Sequence, residues 1–245
     1  GESLIDEQMN KNISNSSAFI GNRKFKGFSQ TVSAYRIISD SEIKSKASVR
    51  FIGRKKEMQI LQTIIDEVST ENKSRTVYIS GSAGIGKSRL VNELKNLPEV
   101  QEKYQWLYLP CDEILRKNLN PLVYFLRNYF SQSDQNSERM NKIYFNHKLK
   151  QTIGKTDDKI IKSELQRTKS ILGALLNLHW ENSVYEHLDS EGRYENTLFA
   201  VKNLIKAESL IKPVIIEIED GHWIDPDSKK FLQLFVRNIT KFPIN

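Results

Sequence analysis

Eight consecutive residues, GSAGIGKS from Gly81 to Ser88, combine three glycines with a lysine and two serines, the second of which follows the lysine. Glycine lets a ligand approach backbone N–H groups closely, while an ammonium group and a hydroxyl suit phosphate oxygens and Mg²⁺. The spacing G-x-x-x-x-G-K-[ST] is typical of a loop that wraps the phosphates of a nucleoside triphosphate. The sequence therefore predicts binding of a nucleoside triphosphate, taken as ATP, together with Mg²⁺.

The loop defines a candidate nucleotide-binding set. A helix expected to begin near Lys87 aims its positive dipole end at the phosphates. Lys87 is predicted to reach the β- and γ-phosphates, and Ser88 to place its hydroxyl on Mg²⁺. The candidate set comprises Gly81, Ser82, Ala83, Gly84, Ile85, Gly86, Lys87, Ser88 and Arg89.

A second chemical feature is the acidic end of PVIIEIED, residues 213–220. A magnesium-assisted phosphoryl site needs one carboxylate for the metal's water shell and another to orient the attacking water. Glu219 and Asp220 are the predicted catalytic pair, and Asp220 joins Ser88 as a predicted metal residue. Either carboxylate of the pair could take the metal role, and an edge strand with solvated acids is the alternative. Glu217 is unusual, because a carboxylate inside a strand is costly to bury unless it is paired.

Hydrophobic spacing predicts the elements that position these residues. Residues 75–80 and 104–110 are expected to form strands, the first of them buried, and 213–220 a third. Helices are predicted at 55–69, 87–96 and 228–239, with further helices between 112 and 210. Residues 131–160 are polar and are interpreted as a mobile insertion. Strands that alternate with helices predict an α/β fold with a parallel sheet covered on both faces.

The first 50 residues differ in character. SAFIGNRKFKGF reads as two short strands around the turn pair Gly21-Asn22, and TVSAYRII as another strand. The polar residues 40–50 are interpreted as a linker.

Three segments together resemble the signal-transduction ATPases of the STAND class within the AAA+ superfamily. They are FIGRKKEMQIL (51–61), GSAGIGKS and EDGHWIDPDS (219–228). The resemblance implies a P-loop NTPase sheet with helical insertions. It also implies a base pocket made by Phe51, Ile52, Gly53 and Arg54, with simple core packing as the alternative for Phe51 and Ile52.

RKFKGFSQTVSAYRI, residues 23–37, is similar to the closing strands of class III nucleotide cyclase domains. The resemblance implies three parts: the tail of a ferredoxin-like α+β cyclase domain (1–39), a linker (40–50) and the N-terminal part of the ATPase domain (51–245). The cyclase residues that bind metals and substrate lie upstream of such a tail, so no cyclase catalytic residue is assigned.

These resemblances imply a regulatory ATP-binding module of an adenylate or guanylate cyclase in cyclic-nucleotide signalling. The alternative is an ATP-dependent STAND regulator of transcription or kinase signalling, with its effector domain outside this chain. A degenerate NTPase that serves only as a scaffold is a third reading, which the intact Lys87 and Ser88 disfavour.

The ATPase resemblance also implies a later strand between the loop strand and the acidic strand. That strand should begin near residues 241–245, so we expect an incomplete sheet and a piece of a longer protein. A strand from residues 131–190 that fills the gap is the alternative.

Composition indicates the expected cellular location and the expected partners. Cys111 is the single cysteine. An internal disulfide is therefore excluded, which fits a reducing compartment. We interpret Cys111 as a packed thiol. The sequence has no apolar run that could span a bilayer and no signal peptide, so we expect a cytoplasmic protein. A solvated lysine-rich surface accounts for the formal charge of +7 better than nucleic-acid binding. The expected partners are the nucleotide and the cyclase domain of the same polypeptide, without a membrane or nucleic acid, and a homo-oligomer is left open.

Overall fold

The computed structural model describes residues 4–5, 17–23, 32–37, 51–71, 74–113, 117–237 and 239–245. They fall into two compact units, divided between Gly53 and Arg54. The described strands of the first unit are Leu4–Ile5 (β1), Ser17–Arg23 (β2) and Val32–Ile37 (β3). They form an antiparallel sheet in the order β1-β3-β2.

The first unit corrects one prediction and confirms another. β2 runs straight through Gly21-Asn22, so the predicted turn there is wrong. Phe19 pairs with Tyr35 and Gly21 with Ala34, which shifts the register between Phe19 and Gly21. Glycine in a strand often marks such a bulge rather than a turn. The strand predicted in TVSAYRII is confirmed as β3, whereas the linker at 40–50 lies outside the described residues.

The second unit is mostly helical around a small parallel sheet. Its strands are Gln105–Pro110 (β4) and Val214–Glu219 (β5), paired in parallel from Gln105 with Val214 to Pro110 with Glu219. Its helices in the described ranges are Lys55–Glu71 (α1), Lys87–Lys95 (α2), Pro98–Lys103 (α3), Asn120–Tyr129 (α4), Glu138–Lys155 (α5), Lys159–Arg167 (α6), Lys169–Ala174 (α7), Val184–His187 (α8), Ser190–Ile211 (α9) and Pro226–Val236 (α10), with a 3₁₀ turn at Gly221–Trp223.

The main hydrophobic core lies on one face of this sheet. Leu107 and Leu109 of β4 and Val214 of β5 enter the same buried cluster as residues from α4, α5, α6, α7, α9 and α10. Removing these apolar side chains from water is the main stabilising contribution. These six helices therefore pack against the face of the sheet that carries Leu107 and Leu109.

The two helices next to the phosphate loop, α1 and α2, are held by contacts outside this main core. Leu90 and Leu94 of α2 are buried, as are Leu61 and Ile65 of α1. The hydroxyl of Tyr104, just before β4, donates to the Ile65 carbonyl and the Asp66 carboxylate, both at 3.0 Å. The predicted helices at 55–69 and 87–96 are thus confirmed as α1 and α2.

The predicted buried strand at 75–80 is wrong in this structure. Residues 74–80 have no regular secondary structure, and Tyr78 is 91% exposed. A strand needs a neighbour along its length. Here the Arg75 N–H donates to the Ile244 carbonyl at 3.2 Å, at one end of the segment.

Residues 243–245 lie between Arg75 and β5. Val214 N–H donates to the Pro243 carbonyl, Asn245 N–H to the Val214 carbonyl, and Ile216 N–H to the Asn245 carbonyl. Ile244 accordingly forms a parallel bridge with Val214. The described part of residues 131–190 is made of helices and turns, so the alternative of a gap-filling strand from that region is wrong.

Residues 131–160 are not a mobile insertion without packing, which corrects a further prediction. α5 begins after Ser137, whose hydroxyl accepts from the Met140 N–H, and it buries Phe145 and Leu149. The Phe145 ring lies 4.4 Å from that of Phe130 and 5.5 Å from that of Trp180, centroid to centroid. The many polar residues of this helix obscure its narrow buried face.

Replacing Phe145 tests this packing. We expect Phe145→Ala to lower the free energy of unfolding by about 3–5 kcal/mol, because it opens a cavity among buried rings. Tyr144→Ala, at the adjacent exposed position, should change it by about 0.5 kcal/mol. Urea unfolding followed by circular dichroism measures both. Equal, small effects would show that α5 does not belong to the core.

Candidate functional site

The loop from Gly81 to Ser88 has the backbone that the sequence predicts for a phosphate cradle. Gly84 and Gly86 have φ values of 75° and 92°, in the left-handed region that other residues rarely adopt. Gly86 immediately precedes α2, and no side chain caps the first turn of that helix. The first N–H groups of a helix have no partner within it. The loop therefore offers free amide donors and a positive helix end at one place.

Lys87 places its charge within the loop. Its Nζ donates to the carbonyls of Gly81 at 3.0 Å and Ser82 at 3.2 Å. Ser88 and Arg89 follow in the first turn of α2, and Arg89 Nε forms an ion pair with Glu93 Oε1 at 2.7 Å. An ammonium group that already lies beside the loop backbone suits triphosphate oxygens bound there.

Arg54 is the residue of the FIGR segment that the structure joins to the loop. Its guanidinium donates to the Ile85 carbonyl at 2.6 Å and lies 3.6 Å from the Glu57 carboxylate. Gly53 and Arg54 both have positive φ. Ile52 is 82% exposed, so core packing does not account for it, and Phe51 is half-buried.

The acidic residues of β5 face aromatic residues of β4. Trp106 Nε1 donates to the Glu217 carboxylate at 2.7 Å, and the Tyr108 hydroxyl donates to the Glu219 carboxylate. Since side chains alternate along a strand, residues 106 and 108 share one face with 217 and 219. Sequence reasoning did not single out Tyr108. The polar ends of alternate aromatic residues in QWLYLP were the available signal.

Lys95 completes this layer from α2. Its Nζ lies 3.8 Å from the Glu217 carboxylate and above the rings of Trp106 and Tyr108, at 5.6 and 5.5 Å. The helix that follows the phosphate loop is thereby fastened to the strand that ends in the acidic pair. Glu217, unusual in the sequence, is explained by these partners.

The packing of this layer changes the pKa values of Tyr108 and Glu217. Burial, and then the hydrogen bond to Glu219, raises the pKa of Tyr108 well above its ordinary value, so its hydroxyl stays a donor. Burial also raises the pKa of Glu217, an effect that the neighbouring Glu219 strengthens and that Trp106 and Lys95 oppose. Glu217 therefore takes up a proton more readily than a solvated glutamate.

The segment after β5 turns sharply. Asp220 has φ 51° and is exposed, and the 3₁₀ turn that follows brings the His222 and Trp223 rings to 4.8 Å. The buried Asp225 then caps α10 by accepting from Ser228 N–H at 2.9 Å, and it also accepts from Leu119 N–H at 3.0 Å. Asp225, the first aspartate of DPDS, thus links the starts of α10 and α4.

Cys111 lies next to the acidic strand end. Its N–H donates to the Glu219 carbonyl at 3.0 Å, and its side chain is buried. Burial, with smaller contributions from Asp225 and Asp220, raises the pKa of the thiol to about 11. The thiol is protonated at neutral pH, which confirms the interpretation of Cys111 as a packed residue.

The structure brings together some predicted site residues and leaves others apart. Arg54 contacts the loop, whereas no hydrogen bond or ion pair joins Glu219 or Asp220 to residues 81–88 in the described ranges. The described residues contain no cluster of three or more His, Cys, Asp or Glu side chains arranged for a metal ion. Ser88 and one strand-end carboxylate are a sparse donor set of the kind that Mg²⁺ uses together with nucleotide phosphates.

Residues 50–244 match a family model described as an AAA ATPase domain. The chain belongs to the AAA ATPase domain family. Membership agrees with the small parallel sheet, its helices and the phosphate loop at the start of α2. The predictions of a P-loop NTPase and of nucleotide binding are supported at this level.

One relative extends beyond the matched domain. An uncharacterized protein of Rhizobium meliloti (strain 1021) is 24% identical over 253 residues, which cover 98% of this chain and 23% of the relative. The chain thus spans less than a quarter of that protein's length. No solved structure matches this chain. None of the helices in the described ranges is long and apolar enough to cross a membrane.

The raised pKa of Glu217 predicts a pH dependence. Between the unfolded pKa, near 4.5, and the higher folded pKa, the folded state binds more protons, so stability falls as pH rises. Glu217→Gln removes this titration, so the free energy of unfolding of the variant minus that of the parent should increase with pH. Urea titrations from about pH 4 to pH 7 measure this difference.

Glu195→Gln, at an exposed position of α9, is the matched control for loss of one carboxylate. A difference between Glu217→Gln and the parent that decreases with pH would contradict the burial of Glu217.

Proposed function

We propose that the second unit binds ATP with Mg²⁺ at residues 81–88 and hydrolyses it as a molecular switch. The observation that carries the proposal is the uncapped start of α2, with Gly84 and Gly86 at positive φ and the Lys87 ammonium beside the loop carbonyls. Membership of the AAA ATPase domain family supports it.

Each part of the site has a role in this proposal. The loop amides and Lys87 hold the phosphates, Ser88 supplies a hydroxyl for the metal, and Arg54 steadies the loop through Ile85. Bound Mg²⁺ would neutralise charge on the phosphate oxygens. Glu219 and Asp220 supply the carboxylates, and Tyr108 positions Glu219 by donating to it.

The link from Lys95 to Glu217 supports a switching role. A nucleotide held by the start of α2 would act on β5 through the other end of the same helix. Binding and hydrolysis would then move α2 relative to the acidic strand, in the way that phosphate contacts order switch segments elsewhere.

For the polypeptide as a whole, we propose that this ATPase regulates a class III nucleotide cyclase. The support is the similarity of residues 23–37 to the closing strands of such cyclases and the antiparallel pairing of β2 with β3. A relative of which this chain covers 23% is consistent with a module inside a longer polypeptide. The ATPase would report nucleotide state to the adjoining domain.

Loss of Lys87 tests nucleotide binding. We expect Lys87→Ala to weaken ATP–Mg²⁺ binding at least about tenfold, because one charge-assisted contact to the phosphates is lost. Lys56→Ala, an exposed lysine of α1, should bind like the parent. Calorimetric titration of the natural polypeptide measures both, and equal affinities would refute nucleotide binding at this loop.

Cyclic-nucleotide synthesis tests the regulatory proposal. The natural polypeptide should convert ATP or GTP to a cyclic nucleotide, and Lys87→Ala should change that rate by at least about twofold while Lys56→Ala leaves it unchanged. Measurement of the product by chromatography decides the matter. A polypeptide that binds ATP at the loop but makes no cyclic nucleotide would favour the regulator of transcription or kinase signalling.

A further inference from the structure

A cavity of about 370 Å³ lies apart from the phosphate loop. It is lined by residues of α5, by the end of α9 and by Gln105 at the start of β4. Gln105 pairs with Val214, so the cavity lies at the amino ends of both strands. Glu219 is the last residue of β5, roughly 17 Å along the strand from its start, and Asp220 follows it.

The lining carries an excess of positive charge. Lys148, Lys155 and Lys212 contribute three ammonium groups, while Glu208 contributes the one carboxylate. The Lys148 ammonium lies 4.5 Å from the centroid of the Tyr129 ring, and Lys212 Nζ donates to the Gln101 carbonyl at 2.9 Å. Each ammonium group has three donors, so both retain donors for a ligand.

No ion pair joins Lys148, Lys155 or Lys212 to a carboxylate within the described ranges of residues 51–245. Elsewhere in this unit, lysines such as Lys95 and Lys142 do have such partners. A cavity lined by uncompensated lysines attracts an anion.

The buried carboxylate gives the cavity a second chemical character. Glu208 is 4% exposed, and its Oε1 accepts from the hydroxyls of Thr152, at 2.9 Å, and Tyr129. Burial and the Glu208 charge raise the pKa of Tyr129, so that hydroxyl remains a donor. These two bonds fix the carboxylate at the cavity wall, where it would accept hydrogen bonds from the hydroxyl groups of a ligand and repel a second anionic group.

We propose that this cavity binds a small phosphate monoester that carries hydroxyl groups. The phosphate dianion would lie among the three lysines, which act as point-charge donors to its oxygens. The hydroxyl groups would contact Glu208 and the amides of Gln105 and Gln151. The volume is at the low end of the range for small-molecule sites and suits a ligand of sugar-phosphate size.

The position of the cavity makes the ligand a candidate effector of the ATPase. Glu208, Ile211 and Lys212 lie just before β5 along the chain, and the acidic pair lies at its end. Binding that orders the end of α9 would therefore act on the start of the strand that carries Glu219.

Calorimetric titration with glucose 6-phosphate, inorganic phosphate and glucose tests the proposal. The titrations use the natural polypeptide with Lys87→Ala, so that binding at the phosphate loop is suppressed. We expect binding in the order glucose 6-phosphate, inorganic phosphate, glucose, with at least about tenfold between the first two. No binding of glucose 6-phosphate at millimolar concentration would overturn the proposal. Equal affinity for inorganic phosphate would overturn the role of Glu208.

Matched lysine variants locate the binding. Lys148→Ala combined with Lys155→Ala should weaken glucose 6-phosphate binding at least about tenfold. Lys150→Ala combined with Lys159→Ala removes the same charge from exposed positions outside the cavity and should leave the affinity unchanged. Circular dichroism checks that each variant is folded. Equal affinity of the two double variants would place the binding elsewhere.

Discussion

The parallel pairing of β4 with β5 is the constraint on which the rest of the second unit depends. It fixes the register from Gln105 with Val214 to Pro110 with Glu219. One face of the pair enters the hydrophobic core, so the strands cannot slip by one residue without exposing Leu107 and Leu109. The opposite face must then present Trp106 and Tyr108 to the glutamates, and both aromatic residues carry a donor that a buried carboxylate needs.

The same register separates two chemical environments along one strand. At the carboxyl end of β5, Tyr108, Lys95 and the acidic residues form a polar layer next to α2. At the amino end, Glu208 and three lysines line a cavity formed by α5, the end of α9 and the start of β4. β5 has six residues and is paired with β4 along its length, so a single strand joins the two environments.

The lysines of this basic chain have different roles that depend on their surroundings. Lys87 lies in the loop and contacts its carbonyls, Lys95 neutralises Glu217, and the cavity lysines are not paired with carboxylates in the described ranges. A count of charges does not distinguish these uses, because each depends on which acidic side chain the fold brings within about 4 Å.

The sequence by itself determined the phosphate loop, the helices that flank it and the strand that ends in Glu219-Asp220, because their signals are local spacings and turn chemistry. The tertiary structure alone decided which side chains contact the glutamates of β5. Tyr108 and Trp106 are more than a hundred residues from the glutamates they contact, and only strand register brings them together. It also decided that α5 is packed, since Phe145 packs against the rings of Phe130, just after α4, and Trp180, between α7 and α8. Residues 74–80 are the converse case, in which the local pattern is present but a strand does not form. Its apolar pattern predicts a strand, but pairing requires a neighbour, and within the described residues Ile244 hydrogen-bonds this segment at Arg75 alone.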